Sequence, residues 1–238
     1  MTRSQFAEEL QRRVAKYDLL CHPFYQAWSA GELTREDLGE YAGDYYHHVA
    51  AFPNYLAEFF ARTVDPELRR AVLSNLNDEE GCEDGRLGRS HAELWLDFAA
   101  GMGADREQVR REAAPAYMNE LTAFFHHVAK VGAPEAALAS FYAYESQVPR
   151  VAEAKARGLK ELYGADESTR AYFRVHHTAD VGHSQVWLQQ LGKRVEGNAA
   201  TTENAFAAAE AAARKLWEAL DGVESRRQQR QQAKAVPA

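Results

Sequence analysis

The chain has 238 residues, 46% of them hydrophobic, enough to bury a good core as one large domain or at most two. Its 35 acidic residues outnumber 28 lysines and arginines, and the net charge of -7 argues against general nucleic-acid binding. No apolar run is long enough to span a bilayer, Met1 to Leu10 is too polar for a signal peptide, and Cys21 and Cys82 form no CxxC pattern, so a cytoplasmic protein with free thiols and no membrane contact is expected.

Abundant alanine, leucine, glutamate, glutamine and arginine, with sparse valine, isoleucine and threonine, favour helix over sheet. Ser4 to Tyr17 carries Phe6, Leu10 and Val14 on one stripe, with Ser4 as the expected N-cap. Pro23 starts a short helix through Trp28, and Gly31 to Thr34 reads as a C-terminal glycine, a turn and a new N-cap. From Thr34 a long helix is predicted, kinked or ended at Pro53, with Tyr41 and Tyr45 one turn apart on one face. A helix from Pro66 reaches Leu76, and the acidic run Asp78 to Asp84 beside glycines reads as a solvated loop.

His91 restarts a helix with Leu94, Trp95 and Phe98 on one side. The next begins at Asp105 to Glu107 and is predicted to pass Pro115 and reach Val131; His126 and His127 read as surface or packing residues. Ala133-Pro134 opens another, running to Leu159 with Pro149 inside it, where the proline removes the hydrogen bond to the Glu145 carbonyl. A helix over Ser168 to Gly192 and an alanine-rich one over Thr202 to Leu220 follow. With no strand pattern and no repeat, the chain reads as all-α: one domain of about eight helices over 1–222, then a disordered polar tail over 223–238.

One stretch stands out. His176, Asp180 and His183 are spaced by four and then three residues, so they project from one helical face over two turns. Two imidazoles and a carboxylate in that register make a set of metal ligands; the competing reading is a polar face wetted by solvent. Glu145, beside the proline, is a carboxylate that can join them.

Several segments together resemble the CADD family: Tyr25 to Thr34, Ala50 to Pro53, Asn75 to Glu80, Tyr144 to Arg150, and Ala179 to His183. The likeness covers roughly residues 5 to 220 and implies the haem-oxygenase-like helical fold shared with thiaminase II and pyrroloquinoline quinone synthase. It also implies a dinuclear metal site with six protein ligands, which fall on Glu79, His91, Glu145, His176, Asp180 and His183. Three carboxylates and three imidazoles suit iron, or iron with manganese, better than zinc. His177 is left structural. The segment Gly81 to Gly88 is longer than the family pattern, so the match of His91 rests on Leu94-Trp95, and Asp84 is the substitute carboxylate for Glu79.

The resemblance further implies p-aminobenzoate formation for folate metabolism, with the ring drawn from a tyrosine of the protein and the nitrogen from a lysine. The matching positions are Tyr25 and Lys155, with Tyr41 and Tyr144 as redox relays or hydrogen-bond donors to the site. On their own, Tyr25 also reads as a core aromatic and Lys155 as a solvated lysine. Lys155 lies ten residues after Glu145, about 15 Å along a straight helix. The implied requirements are two divalent metal ions, dioxygen and an external reductant, in a homodimer. Two other classes stand beside this one: an enzyme acting on a free heterocycle without metal, and a helical protein-binding module.

Overall fold

The computed structural model describes residues 1–83 and 86–235. The described residues are almost entirely helical: α1 (Arg3–Val14), two short 3-10 turns, α2 (Pro23–Ala30), α3 (Arg35–Arg62), α4 (Pro66–Glu79), α5 (His91–Gly101), α6 (Arg106–Arg111), α7 (Ala116–Lys130), α8 (Pro134–Glu145), α9 (Val148–Glu161), α10 (Glu167–Val195) and α11 (Ala199–Ala235). Between α4 and α5 lies an antiparallel hairpin of two-residue strands, β1 (Cys82–Glu83) and β2 (Arg86–Leu87), where no strand was expected. It occupies the segment noted as longer than the family pattern. Gly81 before it has φ +70°, and a Cβ there would come within 2.4 Å of the Arg89 carbonyl oxygen, so only glycine closes this loop. No helix among the described residues is long and apolar enough to cross a membrane.

Helix α8 is the centre of the bundle. Every residue from Ala136 to Glu145 is buried, as expected for a helix apolar on all sides. It packs against α10 and α11, α10 also covers α5 and α9, and α3 lies against α4, α5 and α7. Local signals set the boundaries. Thr34 caps α3 in a capping box with Asp37, Asp65 caps α4 ahead of Pro66, and Ser90 caps α5 in a box with Glu93.

Four expectations need correction and one is narrowed. The N-cap of α1 is Thr2, boxed with Gln5, and Ser4 is already inside the helix. Of the two outcomes expected at Pro53, the helix does not end there; buried Val49, Phe52, Tyr55, Leu56 and Phe59 on either side hold α3 on through it. The helix predicted across Pro115 is two, because the residue before a proline avoids helical geometry and Pro115 becomes the N-cap of α7. The helix across Pro149 is also two: α8 stops at Glu145 and Pro149 falls in the first turn of α9, where its missing N–H costs nothing. These two breaks add two helices, and the described residues hold eleven where about eight were expected.

The last correction is the tail, which is helical to Ala235. Its lack of an apolar face is offset by charge. Arg226 pairs with Asp44 at 2.5 Å, Arg230 with Asp37 and Glu40, and Lys234 with Glu36 at 2.6 Å. All four acceptors lie on α3, and Asp37 and Asp44 are buried. Removing both arginines, Arg226→Ala with Arg230→Ala, should lower unfolding free energy by about 1–3 kcal/mol, because two buried carboxylates lose charged partners. Urea denaturation followed by circular dichroism measures this.

Candidate metal centre

Three helix ends and one helix that runs past them build the site. Glu79 is the last residue of α4, His91 the first of α5 and Glu145 the last of α8, while His176, Asp180 and His183 line α10. The i, i+4, i+7 stripe of α10 straddles two groups: Glu79, His91 and His176 form one triad, and Glu145, Asp180 and His183 form the other. Within each triad one donor atom per residue lies within 4.8 Å of the others. All six expected residues are therefore brought together. Asp84 lies outside the described residues. His177 is exposed and points its Nδ1 toward the Pro149 carbonyl at 3.3 Å, away from both groups.

In the first triad His91 Nδ1 lies 2.9 Å from Glu79 Oε2, and the rings of His91 and His176 have centroids 4.2 Å apart. His176 Nδ1 sits 2.9 Å from the Tyr172 carbonyl, to which it donates, so its Nε2 is the nitrogen left for a metal. In the second triad His183 Nδ1 is 3.3 Å from Asp180 Oδ1 and 3.7 Å from Glu145 Oε1. Asn75 donates to Glu145 Oε1 at 2.7 Å and the Trp187 indole donates to Oε2. Asp78 accepts from His183 Nε2 at 2.9 Å. Asn75 and Trp187 were not singled out from sequence. The available signal was spacing: Asn75 is one turn before Glu79 on α4, and Trp187 one turn after His183 on α10.

The electrostatics of the pocket show a shortage of positive charge. Burial, together with the charge of Asp180, pushes Glu145 up to about 8 against the opposing pull of His183. Burial disfavours a charged His183, yet Asp180, Glu145 and Asp78 outweigh it and raise the imidazole to about 10. Burial opposes ionisation of Glu79 and His91 as well, but their mutual attraction wins, lowering the acid and raising the base. His176 is lowered by burial and then by His91. Three buried carboxylates facing three imidazoles, with Asp180 Oδ2 buried and lacking a hydrogen-bond partner, are what a pair of divalent cations would satisfy.

The expected donor residues meet as well. Lys155 is buried, 5% exposed, with Nζ 2.6 Å from both the Tyr25 and Tyr41 hydroxyls and 3.8 Å from the centre of the Tyr25 ring. The two phenols are 2.9 Å apart. The reading of Lys155 as a solvated side chain is thus overturned, because the chain turns at Ser146–Gln147 and α9 carries Lys155 inward. Burial raises the Tyr25 and Tyr41 phenols and pushes the lysine amine well below its ordinary value. A cavity of about 30 Å³ lies here, lined by Tyr25, Tyr41, Tyr144, Lys155 and Tyr172 among others. From Tyr41 an aromatic series runs through Tyr45, Trp95 and Tyr172 to His176, with centroid steps of 5.4, 5.5, 4.7 and 4.0 Å.

The lowered lysine amine has a consequence for stability. The unfolded chain keeps its lysine proton up to about pH 10.4, whereas the folded chain releases it at lower pH. Between those limits the unfolded state binds more protons, so this group's contribution rises with pH. Lys155→Met should therefore be more stable than the parent near neutral pH, by a margin that shrinks as pH climbs toward about 10.4. Paired denaturant titrations across that range check it.

The chain has relatives among known proteins. The model of a family described as iron-containing redox enzymes matches residues 39–217. A 4-aminobenzoate synthase of Chlamydia pneumoniae is 36% identical over 188 residues, covering 79% of this chain and 82% of that protein. A 4-aminobenzoate synthase of Nitrosomonas europaea is 35% identical over 233 residues, 94% of this chain and 92% of its own. Among solved structures, a domain of unknown function with a haem-oxygenase-like fold from Shewanella denitrificans superposes with a TM-score of 0.79 at 17% identity, covering 97% and 95% of the two chains.

Proposed function

Because the chain belongs to the family of iron-containing redox enzymes with the haem-oxygenase-like fold, we propose that it is an oxygen-dependent enzyme that forms p-aminobenzoate from its own Tyr25 and Lys155. The observation that carries this reading is the placement of Lys155 Nζ 2.6 Å from the Tyr25 hydroxyl among buried aromatic side chains. A tyrosine ring bears its Cβ and its hydroxyl in para positions, and p-aminobenzoate bears its carboxylate and amine in the same relation. Bonding of the Lys155 Nζ to the phenolic carbon with loss of the hydroxyl, cleavage of the lysine Nζ–Cε bond, cleavage between Cα and Cβ of the tyrosine, and oxidation of Cβ to a carboxyl, with dioxygen as oxidant, would convert one into the other. Lys155 stands at the carbon where nitrogen must attach.

Glu79, His91 and His176 would hold one metal ion and Glu145, Asp180 and His183 the second, iron in both or iron with manganese. When bound, the pair would supply dioxygen binding and oxidising equivalents, with electrons from an external reductant. Asn75 and Trp187 fix the Glu145 carboxylate, and the Tyr172 carbonyl fixes the His176 ring. Burial drives the Lys155 amine toward its neutral form, whose lone pair can bond to carbon, and the surrounding rings limit contact with bulk water. Tyr41 holds the Tyr25 hydroxyl, and Tyr144 lines the same cavity.

A cavity of about 30 Å³ has room for a diatomic or a water, whereas sites for small organic ligands measure roughly 300 Å³ or more. That favours a ring supplied by the protein over a free heterocycle. Complementation of a p-aminobenzoate auxotroph tests the reading: growth with the intact gene and none with His183→Ala is expected. Equal growth with both would leave the metal site without a role.

A further inference from the structure

The two histidines that α10 lends to the triads present opposite ring nitrogens. His176 spends Nδ1 on the Tyr172 carbonyl and turns Nε2 to the site. His183 is reversed. Its Nδ1 lies 3.3 Å from Asp180 Oδ1 and 3.7 Å from Glu145 Oε1, inside the second triad. Its Nε2 points out of the triad and lies 2.9 Å from Asp78 Oδ2.

Among the six residues of the two triads His183 alone is not buried, and the Asp78 side chain beyond it is 47% exposed. Either ring nitrogen of a histidine can bind a metal, and the hydrogen bond made by the other selects which one does. At a solvent edge water serves either nitrogen equally, so burial does not make that selection for His183. A carboxylate does make it. An ionised carboxylate accepts hydrogen bonds and has none to donate, so the nitrogen that faces it carries a proton. Asp78 thereby leaves Nδ1 as the nitrogen whose lone pair serves a metal.

The backbone explains how Asp78 comes to stand there. It lies in the last turn of α4, beside Glu79 and three residues after Asn75. Glu79 belongs to the first triad, whereas Asn75 holds Glu145 of the second at 2.7 Å. One helical turn therefore reaches both triads.

We propose that Asp78 is a positioning residue of the second metal site: it keeps the proton on His183 Nε2, so that Nδ1 is the atom presented to the metal. The inference rests on the metal reading given above. Asn75 and Trp187 fix the carboxylate of that triad, and Asp78 fixes its imidazole.

The test uses the full chain, nitrogen-15 labelled at histidine and loaded with zinc alone, a redox-inert probe. Long-range proton–nitrogen NMR correlations should place the metal on Nδ1 of His183 and on Nε2 of His176. Chelator competition should show one zinc weakened by about 10–100-fold in Asp78→Ala, with the other at the parental affinity. Asp78→Asn, whose amide oxygen still accepts from Nε2, should keep Nδ1 ligation and recover most of that affinity. Glu80→Ala removes a neighbouring exposed carboxylate and should bind both zincs like the parent, which separates the hydrogen bond from net charge. Zinc on Nε2 of His183 in the parent, or parental affinity for both zincs in Asp78→Ala, would overturn the role of Asp78 alone. A parent chain that takes up neither zinc nor ferrous iron would overturn the metal reading and this role with it.

Discussion

Glu145→Ala or His183→Ala is expected to lower divalent-metal loading from about two ions per chain to about one or fewer. Each residue sits in the second triad, and each substitution removes one of only three side-chain donors there. Outer supports of metal ligands already cost 10–100-fold in affinity when removed, so a direct donor should cost at least about a hundredfold. Asn75→Ala, which takes away a hydrogen bond to Glu145 but no donor atom, should weaken binding by about 10–100-fold and leave the stoichiometry reachable at high metal concentration. Metal analysis after anaerobic loading and desalting separates the two grades of effect. Undiminished metal content in both Glu145→Ala and His183→Ala would remove the assignment.

The second large effect concerns the reactants. Tyr25→Phe should abolish p-aminobenzoate formation while metal content stays at the parental level, because Tyr25 contacts Tyr41 and Lys155 and belongs to neither triad. Phenylalanine keeps the ring and its packing, so the loss reports the hydroxyl-bearing carbon and not the fold. Lys155→Arg should do the same. A guanidinium stays charged at any working pH, and it would bring that charge into a site where burial already drives the lysine amine toward its neutral form. Product yield and metal content measured on the same samples distinguish a lost reactant from a lost ligand.

These two experiments probe parts of the site that the sequence disclosed to different degrees. That His176, Asp180 and His183 share one face was legible from spacing alone, because a continuous helix turns a 4-then-3 interval into one face. The structure adds that the face serves two clusters. Glu79 and His91 had no local pattern; they come together only because α4 ends and α5 begins at the same place, across a hairpin closed by Gly81. The meeting of Lys155 with Tyr25 was hidden for a different reason. A straight-helix ruler from Glu145 fails once α8 stops at Glu145 and α9 restarts at Val148, so sequence distance says nothing about the approach. The helical tail was misread because its stability comes from arginines pairing with carboxylates of α3, nearly two hundred residues away in sequence, and not from an apolar stripe of its own. The all-α class and the boundaries marked by Thr34, Pro66 and Gly31 were plain, since caps and first-turn prolines act within a few residues.

The central claim is that the product is cut from the protein, and isotopes address it most directly. Chain grown with ring-carbon-13 tyrosine and nitrogen-15 lysine, loaded with iron and given only dioxygen and reductant, should release p-aminobenzoate carrying both labels. The yield should not exceed one molecule per chain, and the spent protein should show mass losses at both Tyr25 and Lys155. Unlabelled product, or many turnovers per chain on an added small aromatic, would contradict the account and return Tyr25 and Lys155 to a packing role.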